Sequence, residues 1–213
     1  MFAMEELLVT NKFSSAEIDK IVEELKVNGA TSFPILREEA RLRFVEEAEK
    51  CPFNFVDRIA GGVIQEAAAC QNFPRSSLFI ALRNEFQELL ERSLDQYNSN
   101  LLKIPLNFDT LYLLRYRAGS IGITPHFDSS EYINLMGGFI FKGVGDFYIC
   151  DDFNKTNSRV LDTTPGNVIL MVAPGFLPNN NRLCHYLDTV REDRDSLWIR
   201  QSKWGGAYSK LAA

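Results

Sequence analysis

Three short fragments of the 213-residue chain carry side chains that could do chemistry together: Pro125-His126-Phe127-Asp128, Leu183-Cys184-His185 and Arg194-Asp195-Ser196. His126 and Asp128 are two residues apart, and alternate side chains of a strand point to the same face. His185 lies far enough along the chain to come from a different strand of the same barrel. Two imidazoles and one carboxylate on one face of a metal ion form a facial triad, which binds iron(II) and leaves three positions open. Zinc accepts the same ligands, so donor type alone does not settle the metal. Arg194 and Ser196 are again two apart and again share a face. The chain has only two histidines, and both fall in this pattern. Singly, each is an ordinary core or surface residue; in order with Asp128, Arg194 and Ser196, they read as a site.

These residues need strands to hold them. From Leu106 onward the hydrophobic period is that of strands, with candidates at 109–117, 121–128, 133–141, 144–150, 158–162, 167–173, 182–188 and 194–201, separated by glycine, proline and asparagine. Before them the period is helical. Residues 13–28 form a first helix, with Ser14 or Ser15 as cap, Glu17 in capping-box position and Asn28-Gly29 as stop. Ala30 to Leu36 reads as a short edge strand because of Pro34, and Arg37 to Lys50 as a second helix. Ser76 or Ser77 caps a long helix to about Tyr97, with Phe79, Leu82, Phe86, Leu89, Leu90 and Leu94 as its buried stripe. Residues 51–74, with Gly61-Gly62 and few clear periods, read as a loop with one or two helical turns. Eight short strands after a helical third predict a mainly β fold with flanking helices: a double-stranded β-helix, or jelly-roll, core in a single domain over 1–213, with helical support in 1–105 and the barrel in 106–213.

Composition narrows the function. Hydrophobic residues are 46% and charged residues 24%, ordinary for a globular protein. The formal net charge of −5 leaves no basic field for a phosphate backbone, which argues against nucleic acid. No apolar run approaches the ~20 residues of a membrane span. Glu5 and Glu6 near the start are unlike a signal peptide. Cys51, Cys70, Cys150 and Cys184 lack CxxC spacing, so free thiols in a reducing cytoplasm are expected.

The sequence resembles the superfamily of 2-oxoglutarate- and iron(II)-dependent oxygenases. The resemblance rests on His126-x-Asp128, the distal His185 and Arg194-x-Ser196 nine residues after it, in that order. Gly119-x-x-Gly122, Gly143-x-Gly145-Asp146 and Thr164-Pro165-Gly166-Asn167 match as well, and the likeness covers roughly residues 108–202. It implies His126, Asp128 and His185 as iron(II) ligands, 2-oxoglutarate and dioxygen as cosubstrates, and Arg194 and Ser196 as partners of the distal carboxylate of 2-oxoglutarate. Chemistry supports that assignment, because a guanidinium beside a metal is unfavourable unless an anion lies between them, and a dicarboxylate supplies it. Arg191 and Arg200 are rivals for the role; the alternative for Arg194 is a surface pair with Glu192 or Asp193. Tyr116 is placed by the resemblance near the cosubstrate; Tyr112 shares its parity, and Asn134 is a further candidate.

The implied reaction is hydroxylation of an unactivated C–H bond of a small molecule, a free amino acid or a natural-product intermediate, with release of succinate and carbon dioxide. The carboxylate of Asp128 fills the position that is small in related halogenases. Two other classes are a cupin-type isomerase or lyase that does not use 2-oxoglutarate, and a non-catalytic binding barrel. Glu131, Asp151 and Asp152 are either ammonium partners at the mouth or plain loop charges. Segments 151–158 and 174–182, with Phe153, Phe176 and Leu177, are candidate lids.

Overall fold

The computed structural model describes residues 7–60, 62–95, 101–176 and 181–204, with the side chains of residues 56–60 left aside. Helix α1 (Ser15–Asn28) starts where the sequence says it should: Ser14 and Glu17 make a reciprocal capping box, and Gly29 closes the helix in the left-handed conformation. Strand β1 (Ala30–Pro34), helix α2 (Glu38–Ala48) and helix α3 (Leu78–Leu94), capped by Ser77, also follow the periodicity.

Residues 51–74 do not. They hold a hairpin, β2 (Asn54–Ala60) and β3 (Val63–Cys70), in register from Asn54↔Ala69 to Ala60↔Val63. The predicted helical turns are therefore wrong, and the N-terminal third is not purely helical. Gly61-Gly62 between two runs is a hairpin signal, but the alanine run Ala67-Ala68-Ala69 favours helix by intrinsic propensity. Tertiary pairing overrides it: Ala68, Ala69 and Cys70 pair with Arg115, Leu114 and Leu113 of the next strand.

That strand is β4 (Thr110–Tyr116), followed by β5 (Ile123–Phe127), β6 (Tyr132–Lys142), β7 (Asp146–Cys150), β8 (Arg159–Leu161), β9 (Asn167–Val172), β10 (Cys184–Asp188) and β11 (Arg194–Ser202). All pairings are antiparallel, in the order β1-β9-β6-β11-β4-β3-β5-β10-β7-β8, with β2 added on β3. β3 is the corner, since one end pairs with β4 while Gln65 meets Ile123 of β5. The sheet thus folds back on itself into the two facing layers of a jelly roll. β1, carrying Pro34, is an edge.

Strand alternation divides the core in two. Leu111, Leu113, Phe139, Leu197 and Ile199 pack with the apolar stripes of the helices, including Phe79, Phe86 and Leu89. Their sequence neighbours Tyr116, Met136, Ile140 and Trp198 face the other way, into the space between the layers. The same alternation sends Arg194, Ser196, Trp198 and Arg200 inward.

Two glycines sit where neighbouring backbones come close, Gly122 between β5 and β10 and Gly143 beside the start of β11. A Cβ on Gly122 (φ +74°) would lie 2.2 Å from the Leu187 carbonyl oxygen, and one on Gly143 (φ +83°) 2.3 Å from that of Asp193. Both obstacles are backbone, and the left-handed angle adds strain. Gly122→Ala is expected to cost about 3 kcal/mol or more, read as a shift in the denaturation midpoint; a change under about 1 kcal/mol would contradict the close approach.

Candidate active site

β5 and β10 are neighbours whose register puts His126 opposite His185, with ring centroids 4.3 Å apart. Asp128 follows directly after β5, on the side of His126. Ligand atoms of the three residues all lie within 4.8 Å of one another, and His185 Nε2 is 3.6 Å from Asp128 Oδ2. Phe147 and Trp198 stack beside His185, at 5.4 and 6.4 Å, and fix its ring.

The tautomers follow from the partners. His126 Nδ1 lies 3.0 Å from the Thr124 carbonyl and His185 Nδ1 lies 3.1 Å from the Leu183 carbonyl. A carbonyl can only accept, so each Nδ1 donates and each Nε2 keeps a free lone pair. Burial lowers the pKa of His126, and burial together with His126 pushes His185 down to about 4. Burial opposes ionisation of Asp128, but Arg200, then the imidazoles, outweigh it and hold the carboxyl below its usual range. Asp128 Oδ2 is buried with no hydrogen-bond partner. Two neutral imidazoles and an ionised carboxylate with an orphan oxygen converge on one point, a donor set that fits a divalent cation.

The His185 shift predicts a pH dependence. A histidine whose folded pKa is depressed binds fewer protons folded than unfolded, so stability is full above the unfolded value and falls as pH drops. Without metal, the protein is expected to lose on the order of 2–3 kcal/mol between pH 6.5 and about 4 from this residue. Urea midpoints across that range would show it, and His185→Phe is expected to flatten the slope.

Inside the fold, a cavity of about 280 Å³ joins the triad to Arg194, Tyr116, Tyr112, Tyr132, Trp198 and Arg200. Arg194 is fully buried opposite Tyr116 on β4. Its Nη1 donates to Ser196 Oγ at 3.2 Å, while Nε and Nη2 have no partner. Burial pushes its pKa down to about 10. It makes no surface pair with Glu192 or Asp193, since its one partner is Ser196, and Asp193 pairs with Arg117. Ser196 is buried behind Arg194 and is not among the residues lining the cavity. The Tyr116 hydroxyl accepts from Gln65 Nε2 at 2.8 Å, which leaves its own hydrogen to donate. Arg191 bridges to Asp146 at the surface. Arg200 contacts Asp128 Oδ1 at 3.3 Å, so the two inward arginines serve different neighbours.

Sequence reading missed one wall entirely. Val63, Gln65, Ala67 and Ala69 of β3, and Gln71 just after it, line the cavity on alternate positions. Their alternation was present in the sequence but lay in the illegible segment.

Other candidates resolve as structure. Asn134 (φ 62°) binds the Ile104 carbonyl and Gln201 and does not line the cavity. Asp152 caps Asn154 and Thr156, Asp151 accepts from Asn157, and Glu131 accepts from Trp204. Phe176 is fully buried in the helix-side core, bridged to Leu102, so it is an anchor rather than a lid. Leu177 lies outside the described residues. Phe153 is 63% exposed with its ring edge-on to Phe127, a cavity-lining residue. No described helix is long and apolar enough to cross a membrane.

No protein-family model and no curated protein matches the sequence. Solved structures do match the fold. An oxidoreductase of the 2OG-Fe(II) oxygenase family from Burkholderia pseudomallei superposes with a TM-score of 0.67 at 14% identity, covering 92% of this chain and 96% of that one. A prolyl hydroxylase from Trichoplax adhaerens, solved with a hypoxia inducible factor peptide fragment, gives 0.67 at 11% identity over 92% and 93%. The non-heme alpha ketoglutarate dependent epimerase SnoN of nogalamycin biosynthesis gives 0.64 at 12% over 89% and 84%.

Proposed function

We propose that this chain, which has the fold of the 2-oxoglutarate- and iron(II)-dependent oxygenases, is such an oxygenase and hydroxylates a C–H bond of a small molecule. The observation that carries the reading is Arg194: a fully buried guanidinium with two unpartnered nitrogens, facing the same cavity as the His126–Asp128–His185 cluster. A buried cation without an anion is costly, and a dicarboxylate spanning metal and arginine removes that cost.

His126 Nε2, His185 Nε2 and Asp128 would hold iron(II), and Arg194 with the Tyr116 hydroxyl would hold the distal carboxylate of 2-oxoglutarate. When bound, iron and cosubstrate supply oxidising power from dioxygen, with succinate and carbon dioxide released and an oxygen atom left on the substrate. The chain's own part is binding and exclusion. Ser196 accepts from Arg194 and fixes the plane of its guanidinium. Gln65 donates to the Tyr116 oxygen and turns the phenol hydrogen toward the cavity. Phe147, Trp198 and Leu187 keep water from the triad. The cavity size is near the low end of small-molecule sites, ~300–1,000 Å³, which favours a small substrate over a macromolecule. The four unbridged cysteines fit a reducing cytoplasm.

The test is spectroscopic. Anaerobic protein with iron(II) should develop a visible charge-transfer band on adding 2-oxoglutarate, and should release succinate in air. Iron binding without that band would favour the cupin-type alternative.

A further inference from the structure

From the aromatic end of the cavity we infer that the substrate carries no ammonium group: it is an uncharged or acidic molecule held by hydrogen bonds from the Tyr132–Tyr112 pair and Gln71. This rests on the oxygenase reading and narrows its substrate.

The register sorts the inward side chains into rows. Arg194 lies across from Tyr116 at one end, and Trp198 lies across from Tyr112 toward the other. Continuing the β3 alternation puts Gln71 beside Tyr112, past the Ala69↔Leu114 pair. The first row is the anion end. The second is left for substrate.

Proteins offset the charge of a buried ammonium group most strongly with a carboxylate or with the face of an aromatic ring. Both are taken here. Asp128 is the one carboxylate among the described residues that line the cavity, and it serves the metal cluster and Arg200. At this end the aromatic faces belong to Arg200, whose guanidinium carbon sits 5.3 Å from the Tyr112 ring centre, 5.2 Å from Tyr132 and 5.5 Å from Trp198, while Phe147 stacks on His185 and Phe127 carries Arg182. A divalent cation and a dianionic cosubstrate offset each other, so two arginines still face one aspartate. An incoming ammonium would meet like charge in a low-dielectric space with no free carboxylate among the described residues to pair it.

What the end offers instead is hydrogen bonding. Burial keeps Tyr132 protonated, and its hydroxyl bonds with that of Tyr112, which leaves one O–H of the pair to donate. The Gln71 amide is exposed at the mouth and both donates and accepts. A carboxamide, ester, hydroxyl or carboxylate accepts from these donors; a protonated amine, with no lone pair, does not. Of the two substrate classes suggested by the sequence, free amino acids are the worse fit, and acylated or acidic compounds the better.

The experiment uses the zinc-loaded protein with 2-oxoglutarate, which binds but does not turn over, and three probes on one skeleton: phenylpropanamide, phenylpropanoate and phenylpropylamine. Ligand-observed NMR titrations should show the amide or the acid binding about tenfold or more tightly than the amine. Gln71→Glu, which adds a carboxylate at the mouth, should reverse the ranking in favour of the amine. Amine binding equal to or tighter than the others in the wild type, no millimolar binding by amide or acid, or an unchanged ranking in Gln71→Glu would each overturn the inference. Failure of 2-oxoglutarate to bind in the same titrations would instead sink the oxygenase reading, so the two failures are distinct.

Discussion

Replacing Arg194 by methionine should make the ligand-free protein more stable while abolishing its response to 2-oxoglutarate. Burial lowers the Arg194 pKa to about 10, which corresponds to roughly 3 kcal/mol spent at neutral pH to keep it charged inside the fold. Methionine has similar length, needs no partner and suits a cavity wall that also holds Leu187 and Phe147. Exchanging an uncompensated buried charge for an apolar side chain is often stabilising. The lost hydrogen bond to Ser196 Oγ subtracts about 1 kcal/mol, leaving a gain of about 2 kcal/mol, or a rise of roughly 4–8 °C in melting temperature. With zinc present, 2-oxoglutarate at a hundred times its dissociation constant should stabilise the wild type by about 2.7 kcal/mol and the variant by essentially nothing. A methionine variant that melts well below the wild type, yet still shifts with 2-oxoglutarate, would move the carboxylate site elsewhere, with Arg200 the next candidate.

The same residue shows how much of the site was readable. Spacing put Arg194 and Ser196 on one face of a strand, and β11 has that face inward. What spacing could not say is that Ser196 would sit behind the guanidinium, or that Arg200 would fold onto Asp128. Both depend on register across three strands, and register is a tertiary property. The barrel strands after Leu106 were legible because their apolar alternation is strong. The hairpin was not, because β3 lines the cavity with alanine and glutamine. A strand that must leave room for ligands gives up the bulky β-branched residues that mark a strand. The stretch hardest to read was therefore part of the site.

The second large effect concerns Asp128. Asp128→Asn should abolish metal binding and activity and also lower stability, whereas adding Arg200→Gln should restore the stability alone. The aspartate does two jobs: Oδ2 is the orphan oxygen of the triad, and Oδ1 receives Arg200. An amide in its place brings no charge to a divalent cation, and the metal affinity is expected to fall by about a hundredfold or more. It also strands Arg200, whose side chain is only 11% exposed; removing one partner of a buried ion pair costs on the order of 3 kcal/mol. In the double variant the stranded Arg200 charge is gone, so that loss should largely disappear as a coupling energy in a double-mutant cycle. Urea denaturation gives the stability arm, and zinc or cobalt(II) titration gives the metal arm. Recovery of both properties in the double variant would mean that Asp128 acts only as a partner of Arg200, and the ligand assignment would fall. Recovery of stability with metal binding still lost separates the two jobs.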